Sequence, residues 1–232
     1  DFSIDPIHLN LQKHGLSFLV VDTNTPHALA HNGFAARRAA SESCAKALGL
    51  TFLRDALPED LSCAHHDERE AKEWRLELVD SSVNRSLTAL EEREGPATFP
   101  RGWVRHAFHD MTLVGRASYL LKHADDLGYR AFEEAGRIFT ESFISMRDEL
   151  RVSRPEIDAA VEACLAHGAL GARIVGGGFG GAVMALVKTS RLEETAQVIA
   201  QAYAEHGYAE PRFLPMVAGF PADCDWLSEN FR

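Results

Sequence analysis

The sequence predicts an α+β fold, an antiparallel or mixed β-sheet with helices stacked on one face. Three observations carry this. Short strand-like apolar runs lie towards both ends of the chain, at Leu16–Asp22, Gly171–Val175, 182–187 and 212–217. Two long stretches between them, 103–127 and 129–150, repeat apolar residues at helical spacing. No linker, internal repeat or low-complexity tract divides 1–232, so the chain reads as a single domain of sheet plus helices.

In chain order, Phe2, Ile4, Ile7, Leu9 and Leu11 alternate around Pro6, which suits a bent or edge strand, and His14-Gly15 makes a turn into Leu16–Asp22. The pair reads as a hairpin. The segment 34–48 follows the turn signal His31-Asn32-Gly33, carries one apolar face and ends at Gly49. Arg37 and Arg38 sit one turn inside it, either on a solvated face or facing a phosphate. The stretch 51–95 is charged and weakly patterned. His65-His66-Asp67-Glu68 holds metal-capable side chains, but neighbours on a helix point about 100° apart and share one ion poorly, so no metal site is read there.

Gly95-Pro96 and Pro100 break the chain before helix 103–127, which Gly128 closes, and helix 129–150 returns beside it as an antiparallel partner. Ser153 with Glu156, and Pro155 in the first turn, read as a capping box for a helix running to about His167. Ser190 with Glu193 reads the same way for a helix ending at Gly207. Pro215 places the last strand, 212–217, at an edge. Two initial strands and three later ones make up the expected sheet.

Composition narrows the function. A chain of 232 residues with 46% hydrophobic content buries a real core, and its formal charge of −10 argues against a general nucleic-acid or anionic-membrane surface. No apolar run approaches the roughly 20 residues of a membrane span, and no basic-then-apolar leader opens the chain. Cys44, Cys63, Cys164 and Cys224 are too scattered for a zinc or CxxC site and read as reduced cytosolic thiols.

The stretch with the most chemical content is Gly176-Gly177-Gly178-Phe179-Gly180-Gly181. Each ordered glycine costs roughly 0.5–1 kcal/mol relative to alanine, so five in six residues need a reason. Positive φ, close approach of another backbone, or an anion nest are the candidates, with Phe179 as the buried anchor. A bare turn is the alternative, although two residues suffice for a hairpin. Gly176, Gly178 and Gly181 also satisfy GxGxxG, but a strand follows instead of a helix, and Glu193 and Glu194 come too early for a ribose contact.

With that loop placed, the chain resembles the C-terminal half of the galactokinases, within the GHMP family of small-molecule kinases. The loop is similar to the family's third motif. Gly15-Leu16 through Val21-Asp22-Thr23, Pro26-His27-Ala28-Leu29, Phe34-Ala35-Ala36-Arg37-Arg38, Arg105-His106, Tyr129-Arg130-Ala131-Phe132, Glu141-Ser142, Met146-Arg147-Asp148 and Val152 to Asp158 resemble it in the same order. The resemblance implies a ferredoxin-like sandwich with extra helices. It also implies transfer of the ATP γ-phosphate, with Mg²⁺, to the anomeric hydroxyl of galactose or a similar sugar in the cytoplasm.

In that family the third motif packs on the phosphate loop of an N-terminal kinase domain, so Gly176, Gly177, Gly178, Phe179, Gly180 and Gly181 are expected to face that partner and the nucleotide. The family's catalytic aspartate and arginine have no counterpart in this chain, which leaves it no catalytic residue and little activity alone. Gly178→Val is expected to remove activity in the full-length protein with little loss of expression. Phe34 stands where the family has a sugar-contacting tyrosine, and the region 65–100 is longer than usual. Two further readings stay open: a catalytically silent sensor or binding module, and a kinase for another sugar.

Overall fold

The computed structural model describes residues 7–25, 33–47, 50–53, 88, 92 and 101–216. In strand β1, Leu16–Asp22, successive side chains point to opposite faces: Leu19 and Val21 are fully buried on one face, while Phe18 and Val20 are partly covered on the other. It lies inside a four-stranded sheet with β2 (Gly171–Val175), β3 (Ala182–Lys188) and β4 (Arg212–Met216), in the order β2-β3-β1-β4. Every neighbouring pair is antiparallel, with Val21 opposite Val183 and Phe213, and Val175 opposite Ala182. The α+β class and the antiparallel sheet are as expected from sequence.

The helices bounded within the described residues are α1 (Gly33–Ala47), α2 (Arg101–Lys122), the single turn α3 (Ala124–Leu127), α4 (Tyr129–Asp148), α5 (Pro155–Ala166) and α6 (Leu192–His206). Helices α5 and α6 supply Ile157, Ala160, Val161, Cys164, Ile199 and Tyr203 to the core that covers Leu19, Val21, Ala172, Ile174, Val183, Ala185 and Val187. Fully burying one such aliphatic side chain is worth roughly 1.5–3 kcal/mol. Leu16 and Leu186, of opposite parity on the strands, join a second cluster with Leu113 of α2 and Phe132 and Ile138 of α4.

Helix α4 reaches both clusters because it runs along the β2 edge. Gly136 packs directly on the backbone of Leu170 and Gly171, and neither glycine has room for a Cβ. Thr140 Oγ1 donates to the Gly136 carbonyl at 3.3 Å and accepts the Ala172 N–H at 3.4 Å. Polar side chains line the α2–α4 seam. His106 Nδ1 and Ser145 Oγ share a 3.0 Å hydrogen bond, Ser142 Oγ donates to Asp110 Oδ1 at 2.5 Å, and His109 meets Glu141 at 2.9 Å. Burial pushes the His106 pKa below the usual histidine value, with His109 and Arg173 acting the same way against the opposing pull of Asp110.

Four expectations need correction. The hairpin before β1 does not form over the described residues. Leu11 turns into the α2–α4 cluster at 2% exposure, its carbonyl accepts the N–H groups of His14 and Leu16, and a 3₁₀ turn, Gln12–His14, ends at Gly15 with φ +66°. The described sheet therefore has four strands, and residues 1–6 lie outside the described part.

The 103–127 helix is interrupted at His123, whose φ of −104° and ψ of 17° separate α2 from α3. Neither capping box forms. Ser153 Oγ donates instead to the Asp158 carboxylate at 2.5 Å, leaving Arg154 at the N-cap before Pro155. Ahead of α6, Thr189 is tied to β1 through the Gly15 carbonyl (2.9 Å) and Ser17 Oγ (2.8 Å), so a 3₁₀ turn, Thr189–Arg191, intervenes and α6 starts after Ser190. His65, His66, Asp67 and Glu68 lie outside the described residues, as does most of 54–100.

Candidate functional site

The glycine stretch is the connection of the β2–β3 hairpin, closed by the Val175–Ala182 pair. Six residues make the turn, and five of them have positive φ: Gly176 (81°), Gly178 (79°), Phe179 (62°), Gly180 (133°) and Gly181 (88°). Conformation thus accounts for four of the five glycines, since left-handed backbone is strained for any residue with a Cβ.

Inside the turn there are two halves. Gly176 and Gly177 are exposed, and nothing lies within 4 Å of where a Cβ on Gly176 would sit. Gly178, Gly180 and Gly181 are buried. A Cβ on Gly178 would stand 2.6 Å from both the Cβ and the carbonyl oxygen of Val152. The close approach expected from sequence is therefore made, but by Val152 of this same chain. The exposed part of the turn is Gly176-Gly177.

The packed half is held from three directions. The Phe179 N–H donates to the Val152 carbonyl at 2.7 Å. The Gly181 carbonyl accepts both the Thr23 N–H at 2.9 Å and Thr23 Oγ1 at 2.6 Å, and Thr23 is fully buried at the end of β1. The Phe179 ring is half-buried against the main core and lies under the Arg37 guanidinium, 4.7 Å from its centroid. The sequence implied a buried anchor; the ring is only partly buried, shielded by a cation as well as by apolar neighbours.

Arg37 does not lie on a solvated face but is held within the fold. Its Nε donates to the Leu150 carbonyl and Nη2 to the Arg151 carbonyl, each at 2.8 Å, and the guanidinium also lies 4.7 Å from the Trp103 ring centroid. Partial burial lowers its pKa, though an arginine stays charged at any physiological pH. Arg38 is the solvated member of the pair, bonded to Glu42 at 2.8 Å. Phe34 stands one turn before Arg37 on α1, and its side chain lies outside the described residues.

Chemically, the arrangement offers side-chain-free backbone on a rigid support, and among the described residues nothing lies within 4 Å of where a Cβ on Gly176 would sit. Among the described residues, no group of three or more His, Cys, Asp or Glu is placed to hold a metal ion, and no helix is long and apolar enough to cross a membrane. Cys164, buried in the main core, has its thiol pKa pushed up to about 12 by burial, which makes it unreactive. Sequence reasoning overlooked Val152, Thr23 and Trp103 because their partners are distant in the chain. The only available signal was that Thr23 and Val152 fall inside the segments that carried the resemblance.

Residues 105–209 match the family model described as GHMP kinases C terminal. The chain is 33% identical over 217 residues to a galactokinase of Streptomyces coelicolor, covering 94% of this chain and 48% of that protein. A galactokinase of Bos taurus is 33% identical over 208 residues, covering 89% of this chain and 44% of that protein. The fold is similar to the crystal structure of Lactococcus lactis galactokinase complexed with galactose, with a TM-score of 0.65 and 22% identity over 90% of this chain and 46% of that one. The chain spans about half the length of the curated relatives it matches.

Proposed function

We propose that this chain, of which residues 105–209 match the family model described as GHMP kinases C terminal, forms the C-terminal lobe of a cytoplasmic sugar kinase that moves the ATP γ-phosphate to the anomeric hydroxyl of galactose. The observation that carries the reading is the glycine turn: Gly176 and Gly177 present bare backbone beside a half that Val152, Thr23 and Arg37 hold fixed. Phosphoryl transfer rests on positioning and charge stabilisation, to which a rigid neutral turn contributes by letting a phosphate-binding loop come close.

In this reading the N-terminal kinase domain supplies the catalytic residues and most of the grip on ATP and Mg²⁺. The present chain supplies Gly176 and Gly177 on the nucleotide side and position 34 on the sugar side. ATP provides the transferable phosphate, and Mg²⁺ neutralises its charge.

ADP release by the native full-length protein, measured against a panel of hexoses, tests the assignment. Galactose-dependent release supports it; no ADP release with any sugar overturns it and leaves a silent binding module. A specific residue favours a variant of the same reading, a kinase preferring another sugar: Phe34 lacks the phenolic hydroxyl of the family's tyrosine. An unmet hydrogen bond to a buried polar group costs roughly 1–3 kcal/mol. Phe34→Tyr is expected to raise kcat/KM for galactose by about fivefold or more if galactose is bound without that contact. Unchanged kcat/KM would remove position 34 from the sugar site.

A further inference from the structure

Two residues other than glycine with left-handed backbone meet at one side chain. Phe179 has φ +62° and Arg151 has φ +56°, and such conformations persist where the surroundings over-determine them. Arg37 touches both. Its guanidinium covers the Phe179 ring, Nη2 takes the Arg151 carbonyl, and Nε takes the Leu150 carbonyl immediately before it. Residue Val152, next in the chain, then receives the Phe179 N–H and fills the space at Gly178.

The 150–152 segment and the glycine turn are therefore fastened to each other directly by one hydrogen bond and indirectly through the guanidinium. Trp103 of α2 lies against the same guanidinium and restrains it from a third element.

We propose that Arg37 is a positioning residue: it holds the glycine turn in its strained shape and joins that turn to helix α1, three residues after position 34. The nucleotide part of this role rests on the kinase reading above; the conformational part does not. A planar, permanently charged group with donors in a fixed fork suits the task. It satisfies two successive carbonyls in its own plane while both rings contact it. Lysine's ammonium has three donors but no planar fork, so it is less suited to serving two successive carbonyls and both rings together. Arg37 acts through Phe179 and Arg151 and need not touch substrate. Because α1 carries position 34, a sugar seated there and the nucleotide-side turn share one mechanical support.

The first test uses this chain and reads amide hydrogen exchange residue by residue. In Arg37→Gln the Phe179 amide is expected to exchange about tenfold faster, while Val183 and Ala185 in the adjacent strand keep their rates. Arg37→Lys is expected to fall between wild type and Arg37→Gln. Phe179→Leu should remove most of the difference between arginine and glutamine at position 37, as a double-mutant cycle requires for a coupled pair. An unchanged Phe179 amide, or a uniform rise across the strands, would overturn the proposal, the latter because it would mean only general loss of stability.

The second test uses the native full-length enzyme. Arg37→Gln is expected to raise KM for ATP about fivefold or more while KM for the sugar changes less than twofold. Equal effects on both constants, or none, in an active enzyme would overturn the nucleotide link. If the wild-type enzyme transfers no phosphate, the kinase reading fails, and the exchange data alone decide whether Arg37 holds the turn.

Discussion

Glycine serves different ends in two regions of this molecule. At the β2 edge, Gly136 and Gly171 are bare because α4 and the backbone leading into β2 occupy the same narrow space. In the β2–β3 turn, Gly176 has open space around its missing Cβ and is required by its φ of +81°. Gly178 combines both demands, with φ +79° and Val152 at 2.6 Å. The comparison teaches that a conspicuous glycine run and an isolated glycine can be equally constrained, and that only the run advertises itself in sequence.

Substitutions that separate space from conformation test this contrast. The largest effect is expected at Gly171→Val, where a side chain would meet the Gly136 backbone, which cannot rotate away. A loss of about 4 kcal/mol or more, seen as failure to recover soluble protein or a collapsed denaturant midpoint, is expected. A mild midpoint shift would show that α4 can move off the edge. Gly178→Val comes next. The sequence implied little loss of expression there, but contact with Val152 and a β-branched residue at positive φ together should cost roughly 2–4 kcal/mol, measured by urea denaturation, in addition to lost activity.

Gly176→Ala meets only the conformational demand and is expected to cost about 1–2 kcal/mol by the same measurement. If it matched Gly178→Val, the division of the turn into an open and a packed half would fail. The smallest effect concerns the support under both regions, the α2–α4 seam. His106 has a folded-state pKa below its unfolded value of 6.5, so the unfolded chain binds the extra proton. Stability is then complete above about pH 6.5 and falls as the pH drops from there towards the lower folded value. Urea midpoints at pH 7.5 and 5 should differ less in His106→Asn than in wild type; an equal pH dependence would show that His106 charges freely within the fold.

Much of the architecture was legible because alternation and helical spacing are local signals. The apolar run Phe18-Leu19-Val20-Val21 after the His14-Gly15 turn identified β1, and Phe132, Phe139, Phe143 and Met146 identified α4. What misled was local chemistry overruled by tertiary ties. Ser153 had a carboxylate within reach, Thr189 was claimed by β1, and Leu11 found an apolar cluster in place of a strand partner. In the candidate site the turn itself stood out, and so did Phe179 as its anchor. Arg37 was noticed for its charge, whereas its role follows from two carbonyls 113 and 114 residues away and from a ring beyond them. Such partners leave no trace in a single sequence.

One consequence follows from the way α4 lies along β2. An exposed strand edge invites another chain to add a strand, and here one border is occupied by a helix whose Thr140 accepts the outward Ala172 N–H. The opposite border strand carries Pro215, which has no N–H to offer. Among the described strands, growth of the sheet by strand addition is discouraged at both borders, so a partner docking there would have to use side chains and turns in place of a shared β-ladder.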